Sequence, residues 1–370
     1  MQKYSFLSAL LSLFLLAGML ACDPKPSGPG DNFDRKAMLQ NFADQLIQPA
    51  YDQLQSQADQ FHARVLGFNA DPSTQTLLEL QALWAVAYAD WQHANAFNFG
   101  PAGESGLRKG LIEEIGTFPA STTKIEAAIA SGQWNVEDFN RDARGYLAIE
   151  YLLFGQNQST DALVATFVAD VNRRNYLAAL ALHLRDRTHE VWTAWNGAYR
   201  TEFIDNDGTE VGSSTSLLYN EFVRSYESIK NFKLGLPLGK RPGQTQSEPQ
   251  LVEAYYSGQS LNMLKAHVAA IENIWLGRSK SGQDGIGFRE YLENVQGGNE
   301  LIASTETQLA ALKAALLAVP ASPTLSGQIS GDDSYLEALY VEFSKMTRFF
   351  KSDLSSLLGI AITFSSSDGD

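Results

Sequence analysis

Apolar residues return every three to four positions along nearly the whole chain. After Asp71-Pro72, Leu77, Leu80, Trp84, Tyr88 and Trp91 fall on one face of a helix. Asp71 reads as its cap and Pro72 as its first helical position. Phe42, Leu46, Ile47 and Leu54 mark an earlier helix. Val252, Tyr255, Leu261, Leu264, Val268, Ile271 and Trp275 form another stripe, and Leu301, Leu309, Leu312 and Leu316 a further one. Alternation with a period of two is scarce. The breaks carry turn chemistry, as in Phe99-Gly100-Pro101, Asp205-Asn206-Asp207-Gly208 and Gly297-Gly298-Asn299. This pattern predicts an all-α protein built of helical bundles. Ala148–Gly155 (AIEYLLFG) is echoed by Ala270–Gly277 (AIENIWLG), with four of eight positions identical. A chain of 370 residues exceeds what one core usually covers. Together these predict two tandem bundles packed against each other, an ancient duplication, over residues 34–205 and 206–370.

Composition narrows the class. Apolar residues make up 44% and charged residues 19%, as in a folded globular chain. The net charge of −14 disfavours phosphate backbones, so no nucleic acid partner is expected. Residues 1–21 read as a signal peptide: one lysine leads, an apolar run follows, and small residues close it. Cys22 is the single cysteine, so it has no partner for a disulfide within the chain. Met19-Leu20-Ala21-Cys22 resembles the lipobox of bacterial lipoproteins, with Met19 where leucine is usual. The resemblance implies lipidation of Cys22, a flexible tether over residues 22–33 and a membrane partner through that anchor. The expected location is the bacterial cell envelope, facing the periplasm or the exterior.

One charge stands out against the apolar background. In RGYLAIEYLLFG, Arg144 to Gly155, Glu150 is the only acid. Read as one helix from Val136 to Phe154, the stretch puts Glu150 on the side of Phe139, Ala143, Tyr146, Leu147, Leu153 and Phe154. A carboxylate there needs a partner or stays protonated. A structural ion pair and a functional carboxylate both satisfy that need, and Glu272 in the echoed segment poses the same choice. Gly145, read as interior to the helix, would cost about 1 kcal/mol relative to alanine, which points to close approach of a neighbour. Ser257, Ser260 and Asn262 could reach Glu150 across the contact between bundles, or simply cap and join helices.

GYLAIEYLLFG resembles the signature of the imelysin-like family, Gly-x-His-x-x-Glu followed by an apolar run and glycine. Trp84, Trp91 and Phe97-Asn98-Phe99-Gly100-Pro101 are similar to the family's early aromatic segment. Leu234-Gly235-Leu236-Pro237-Leu238-Gly239, Tyr256-Ser257-Gly258-Gln259-Ser260, Ile274-Trp275-Leu276-Gly277 and the ending from Leu358 to Asp370 resemble its second half. The resemblance implies two helical bundles with a site where they meet. The residues expected there are Gly145, Tyr146, Glu150, Ser257, Ser260 and Glu272. Glu150 is the metal ligand carried over, for a divalent metal or iron. Leu147 stands where the family has histidine, so that metal site is incomplete. The family's association with iron uptake implies a non-catalytic binding component working with metal-uptake proteins. Its name implies a metallopeptidase, and an envelope interaction protein that has lost the metal is a third reading.

No other chemistry competes. His62, His93, His183, His189 and His267 form no His-Glu-x-x-His, and Gly-x-Ser-x-Gly does not occur. The five histidines read as surface or hydrogen-bonded core residues, and Asp368 and Asp370 as a solvated acidic end.

Overall fold

A computed structural model describes residues 32–105 and 108–364. The signal segment, Cys22, the tether as far as Asp31, and Asp368 and Asp370 lie outside the described residues. Among those described there is no β-strand; the secondary structure is helical throughout, as the periodicity predicts. The longer helices that carry the fold are α1 (Gln48–Ala70), α2 (Thr74–Ala94), α3 (Gly145–Phe154), α4 (Val171–Trp195), α5 (Ser214–Ser228), α6 (Ser260–Leu276), α7 (Gly298–Ala318) and α8 (Ser334–Thr347). No described helix is long and apolar enough to cross a membrane.

Helices α1, α2, α3 and α4 pack together, and α7 packs on α8. Helix α2 lies against α6 as well, so one helix belongs to both layers. Its stripe explains this: Leu77, Leu80, Trp84, Tyr88 and Trp91 are all buried. Trp84 stacks on Tyr88 with ring centroids 5.2 Å apart, and its indole N–H donates to the Tyr146 carbonyl at 2.8 Å. The start of α2 differs from expectation. Ser73, not Asp71, is the cap, in a capping box with Thr76, while Asp71 ends α1. A serine hydroxyl beside a threonine three residues on satisfies two free amides at once, and Pro72 sits in the link instead.

The segment before α1 crosses to the other side of the molecule. Phe33 stacks on Tyr291 at 4.7 Å. Asn41 donates to the carbonyls of Gly277 at 2.7 Å and Ile286 at 3.0 Å. Residues 42–47 then form a π-helical turn continuous with α1, and two further π turns occupy Ile229–Gly235 and Arg348–Asp353. Loop 206–212 lies between the helix Tyr199–Asp205 and α5.

Two predicted helices start later than their apolar pattern suggests. The stretch 136–144 is turns and a short 3-10 segment, and Phe139 is 76% exposed. Asn135 accepts from the Glu137 amide at 3.0 Å and Asp138 from the Asn140 amide at 2.7 Å. Such local side-chain bonds compete with helix hydrogen bonding and win here. Residues 252–259 are likewise irregular, with Ala254 at φ 54° and Gly258 at φ 68°, and α6 begins only at Ser260.

Candidate functional site

Helix α3 carries the site, and its first turn is fixed from several directions. Gly145 opens the helix rather than lying inside it, with φ at 76°. A Cβ there would come within 2.4 Å of the Ile115 carbonyl oxygen, so glycine meets both a left-handed backbone and a close backbone neighbour. Just before it, the buried Arg144 guanidinium donates to Glu114 at 2.5 Å and to the Asp138 carbonyl at 2.7 Å. Tyr176 donates to the Ala143 carbonyl at 2.5 Å. Tyr146 packs its ring on Tyr88, 5.0 Å away, and its buried hydroxyl has no hydrogen-bond partner among the described residues.

From that base α3 projects Glu150 into the seam between α3 and loop 252–259. Glu150 is 1% exposed, and its Oε1 accepts the Ser257 backbone N–H at 2.7 Å. That amide is free to donate because Ser257 lies outside α6. No basic side chain pairs with the carboxylate among the described residues. Burial raises the Glu150 carboxyl from 4.5 to about 7, opposed by hydrogen bonds from Ser257 and raised further by the charge of Glu253. Glu150 and Leu147, one turn apart, line a cavity of about 260 Å³ with Phe118, Thr122, Gln156, Tyr255 and Tyr256.

The remaining expected residues divide. Gly145 and Tyr146 hold the start of α3, and Ser257 reaches Glu150 through its amide. Ser260 instead donates to the Ala254 carbonyl at 3.4 Å, and Asn262 donates to Gln259 at 2.6 Å. Glu272 does not line the cavity. It pairs with Lys313 at 2.6 Å and Arg278 at 3.5 Å, a structural ion pair between α6 and α7. The seam also holds a polar network that the sequence reading missed. Tyr88 donates to Glu253 at 2.6 Å, and Lys233 approaches the same carboxylate at 2.8 Å and donates to Gln92 at 2.5 Å. Asn95, Ser225 and His267 extend it. Lys233 and Glu253 each have apolar neighbours in sequence, but one lies in a π turn and the other in irregular chain, so neither stands on the periodic face of a helix as Glu150 does.

A resident metal does not fit this arrangement. Among the described residues no three of His, Cys, Asp or Glu converge as a metal-binding group, and Leu147 offers no donor beside Glu150.

With that geometry in place, the comparisons give the lineage. A curated relative, the iron-regulated protein A of Synechococcus elongatus, is 25% identical over 293 residues, covering 76% of this chain and 75% of the relative. A crystal structure from Parabacteroides distasonis, described as an iron-regulated protein A precursor, superposes with a TM-score of 0.72 at 17% identity. It covers 91% of this chain and 97% of that one. An imelysin-like protein from Psychrobacter arcticum gives a TM-score of 0.69 at 20% identity, covering 90% of this chain and 97% of that one. These structures share the fold. The family model Peptidase M75, described as Imelysin, matches residues 47–338, and the chain belongs to the imelysin family.

Proposed function

We propose that this chain is an envelope-anchored, non-catalytic binding component in the uptake of iron or another metal, with Glu150 as the charge its cargo meets. The observation that carries this reading is the placement of Glu150: buried, accepting the Ser257 amide, without a cationic partner among the described residues, at the wall of a cavity. Such a group binds a proton or a cation near neutral pH. The names of the relatives, iron-regulated protein A, favour a metal as the cation. A peptidase of the zinc type needs three protein ligands and an open position. Glu150 supplies one, so a cation held here brings most of its own ligands, as cargo does. The proposal includes Cys22 as the lipid anchor and other metal-uptake proteins as partners.

Calorimetric titration of iron and zinc salts into wild type, Leu147→His and Glu150→Gln tests the reading. Leu147→His, which adds a second ligand three residues from Glu150, is expected to tighten binding by at least about tenfold. Glu150→Gln is expected to abolish it. Because a proton competes for the same carboxylate, wild-type affinity should rise as pH passes through about 7. Chelator-sensitive cleavage of a protein substrate by wild type would overturn the non-catalytic reading.

A further inference from the structure

A second cavity, of about 330 Å³, opens on the same seam and shares only Phe118 with the Glu150 cavity. That volume lies at the low end of the range for small-molecule sites, about 300–1,000 Å³. Its wall is apolar and largely aromatic: Trp91, Ile112, Phe118, Phe232 and Phe364. Its polar lining includes Asn231, Lys233, Glu253, Ser225 and His267, and the charged Arg224 and Glu227 belong to the same wall. Asn231, Phe232 and Lys233 all come from the π turn Ile229–Gly235. Single π turns inside helices are frequent at functional sites, because they re-aim side chains that a regular helix would stagger.

The hydrogen bonds fix which protons and lone pairs of these lining residues are already committed. Lys233 donates to the Gln92 side-chain oxygen, so the Gln92 amide nitrogen is the group that points to Glu253. That same oxygen accepts from the Asn95 amide nitrogen at 3.3 Å, which leaves the Asn95 oxygen to accept from Ser225 at 3.0 Å. The Ser225 hydroxyl has a single proton, and Asn95 takes it. Ser225 must therefore accept from His267 Nε2, 2.7 Å away. Burial and the nearby Lys233 charge keep His267 neutral, so with its proton on Nε2 its Nδ1 is a bare acceptor. His267 is 1% exposed, and Nδ1 has no donor among the described residues. Lys233 has three ammonium protons; Gln92 engages one, and Glu253 Oε2 lies 2.8 Å from the nitrogen without a hydrogen-bond partner among the described residues. Two acceptors without a partner among the described residues, His267 Nδ1 and Glu253 Oε2, and the incompletely engaged Lys233 ammonium thus belong to residues lining an aromatic cavity.

We infer that this cavity is a binding site for a small phenol-like ligand, whose ring packs among Trp91, Phe118 and Phe232 and whose hydroxyl donates to His267 and accepts from Lys233. It does not depend on Glu150 or on any metal. Calorimetry of the full chain with p-ethylphenol tests it. Saturable binding is expected with Kd on the order of 0.1 mM, what so few non-hydrogen atoms can supply in a well-formed site. Ethylbenzene, lacking the hydroxyl, and p-ethylanisole, lacking its proton, should each bind at least about tenfold more weakly. Phe232→Ala should weaken p-ethylphenol roughly three- to tenfold, and because Phe232 is 41% exposed the substitution leaves the core intact. Crystals of wild type soaked in p-bromophenol should show anomalous bromine density between Phe118 and Phe232. Absence of saturable binding, equal affinity for ethylbenzene, an unchanged Phe232→Ala affinity, or bromine located in another cavity would each overturn the inference.

Discussion

At the scale of single residues, Glu150 dominates. Its carboxyl is raised by burial from 4.5 to about 7, so the folded state holds a proton that the unfolded chain releases between those values. Below about 4.5 the group is protonated in both states and costs nothing. Above about 7 it is ionised in both, and the full desolvation cost falls on the folded state. Stability contributed at this residue therefore declines as pH rises through that window, by up to ~3 kcal/mol. Glu150→Gln removes the titration while keeping size and one acceptor oxygen for the Ser257 amide. In urea unfolding at pH 4.5 and pH 8, the stability difference between Glu150→Gln and wild type should shift in favour of the variant by that amount at the higher pH. Parallel pH dependence in the two proteins would mean that Glu150 ionises as an ordinary surface carboxylate. Leu147 belongs to the same scale: it lines the same cavity one turn from Glu150, so on the proposed reading a single substitution to histidine would set a second candidate ligand beside the carboxylate.

At the scale of elements, α3 shows what a sequence can and cannot disclose. The stranded charge in its apolar run was legible, and so was Ser257 as a residue within its reach, though read as near the start of a helix. Where α3 begins was not. The apolar positions continue upstream of Gly145, but Asn135 and Asp138 capture backbone amides locally, and no count of hydrophobic spacing registers that competition. The same blindness hid the irregular run 252–259, whose unhelical backbone is what frees the Ser257 amide for Glu150. Lys233 and Glu253 escaped for another reason. Their pairing spans a π turn and a loop, so neither falls on the periodic face of a helix. Glu272 illustrates the converse: the repeated motif gave it the same choice between ion pair and functional carboxylate, and Lys313 holds it in an ion pair. The start of α3 yields a direct test. Gly145→Ala forces a left-handed residue to carry a Cβ against the Ile115 carbonyl, so either α3 or the Leu111–Ile115 helix must shift. A loss of ~2–4 kcal/mol in denaturant unfolding is expected. A loss under about 1 kcal/mol would show that the turn relaxes freely and that Gly145 does not set the position of Glu150.

At the scale of the whole molecule, the question is whether the halves at 34–205 and 206–370 stand alone. The contacts argue that they do not. Helix α2 offers Trp84 to Tyr146 on one side and Tyr88 and Gln92 to Glu253 on the other. The segment before α1 stacks Phe33 on Tyr291 and closes the carbonyls of Gly277 and Ile286 through Asn41. A fragment of residues 206–370 therefore loses the partners of a buried ion pair, a buried tyrosine contact and two backbone acceptors together. A buried pair deprived of its surroundings is costly, since the desolvated charges lose the hydrogen bonds that offset their burial. The full chain should accordingly unfold in one transition, with coincident helix and tryptophan signals. The 206–370 fragment, expressed by itself, should show helical content without a cooperative unfolding transition and should bind a hydrophobic dye. A fragment that unfolds cooperatively with a midpoint close to that of the full chain would mean that the seam contributes little to stability. Glu150 would then sit between two self-sufficient bodies, free to part around a cargo, rather than in a wall that the whole fold holds closed.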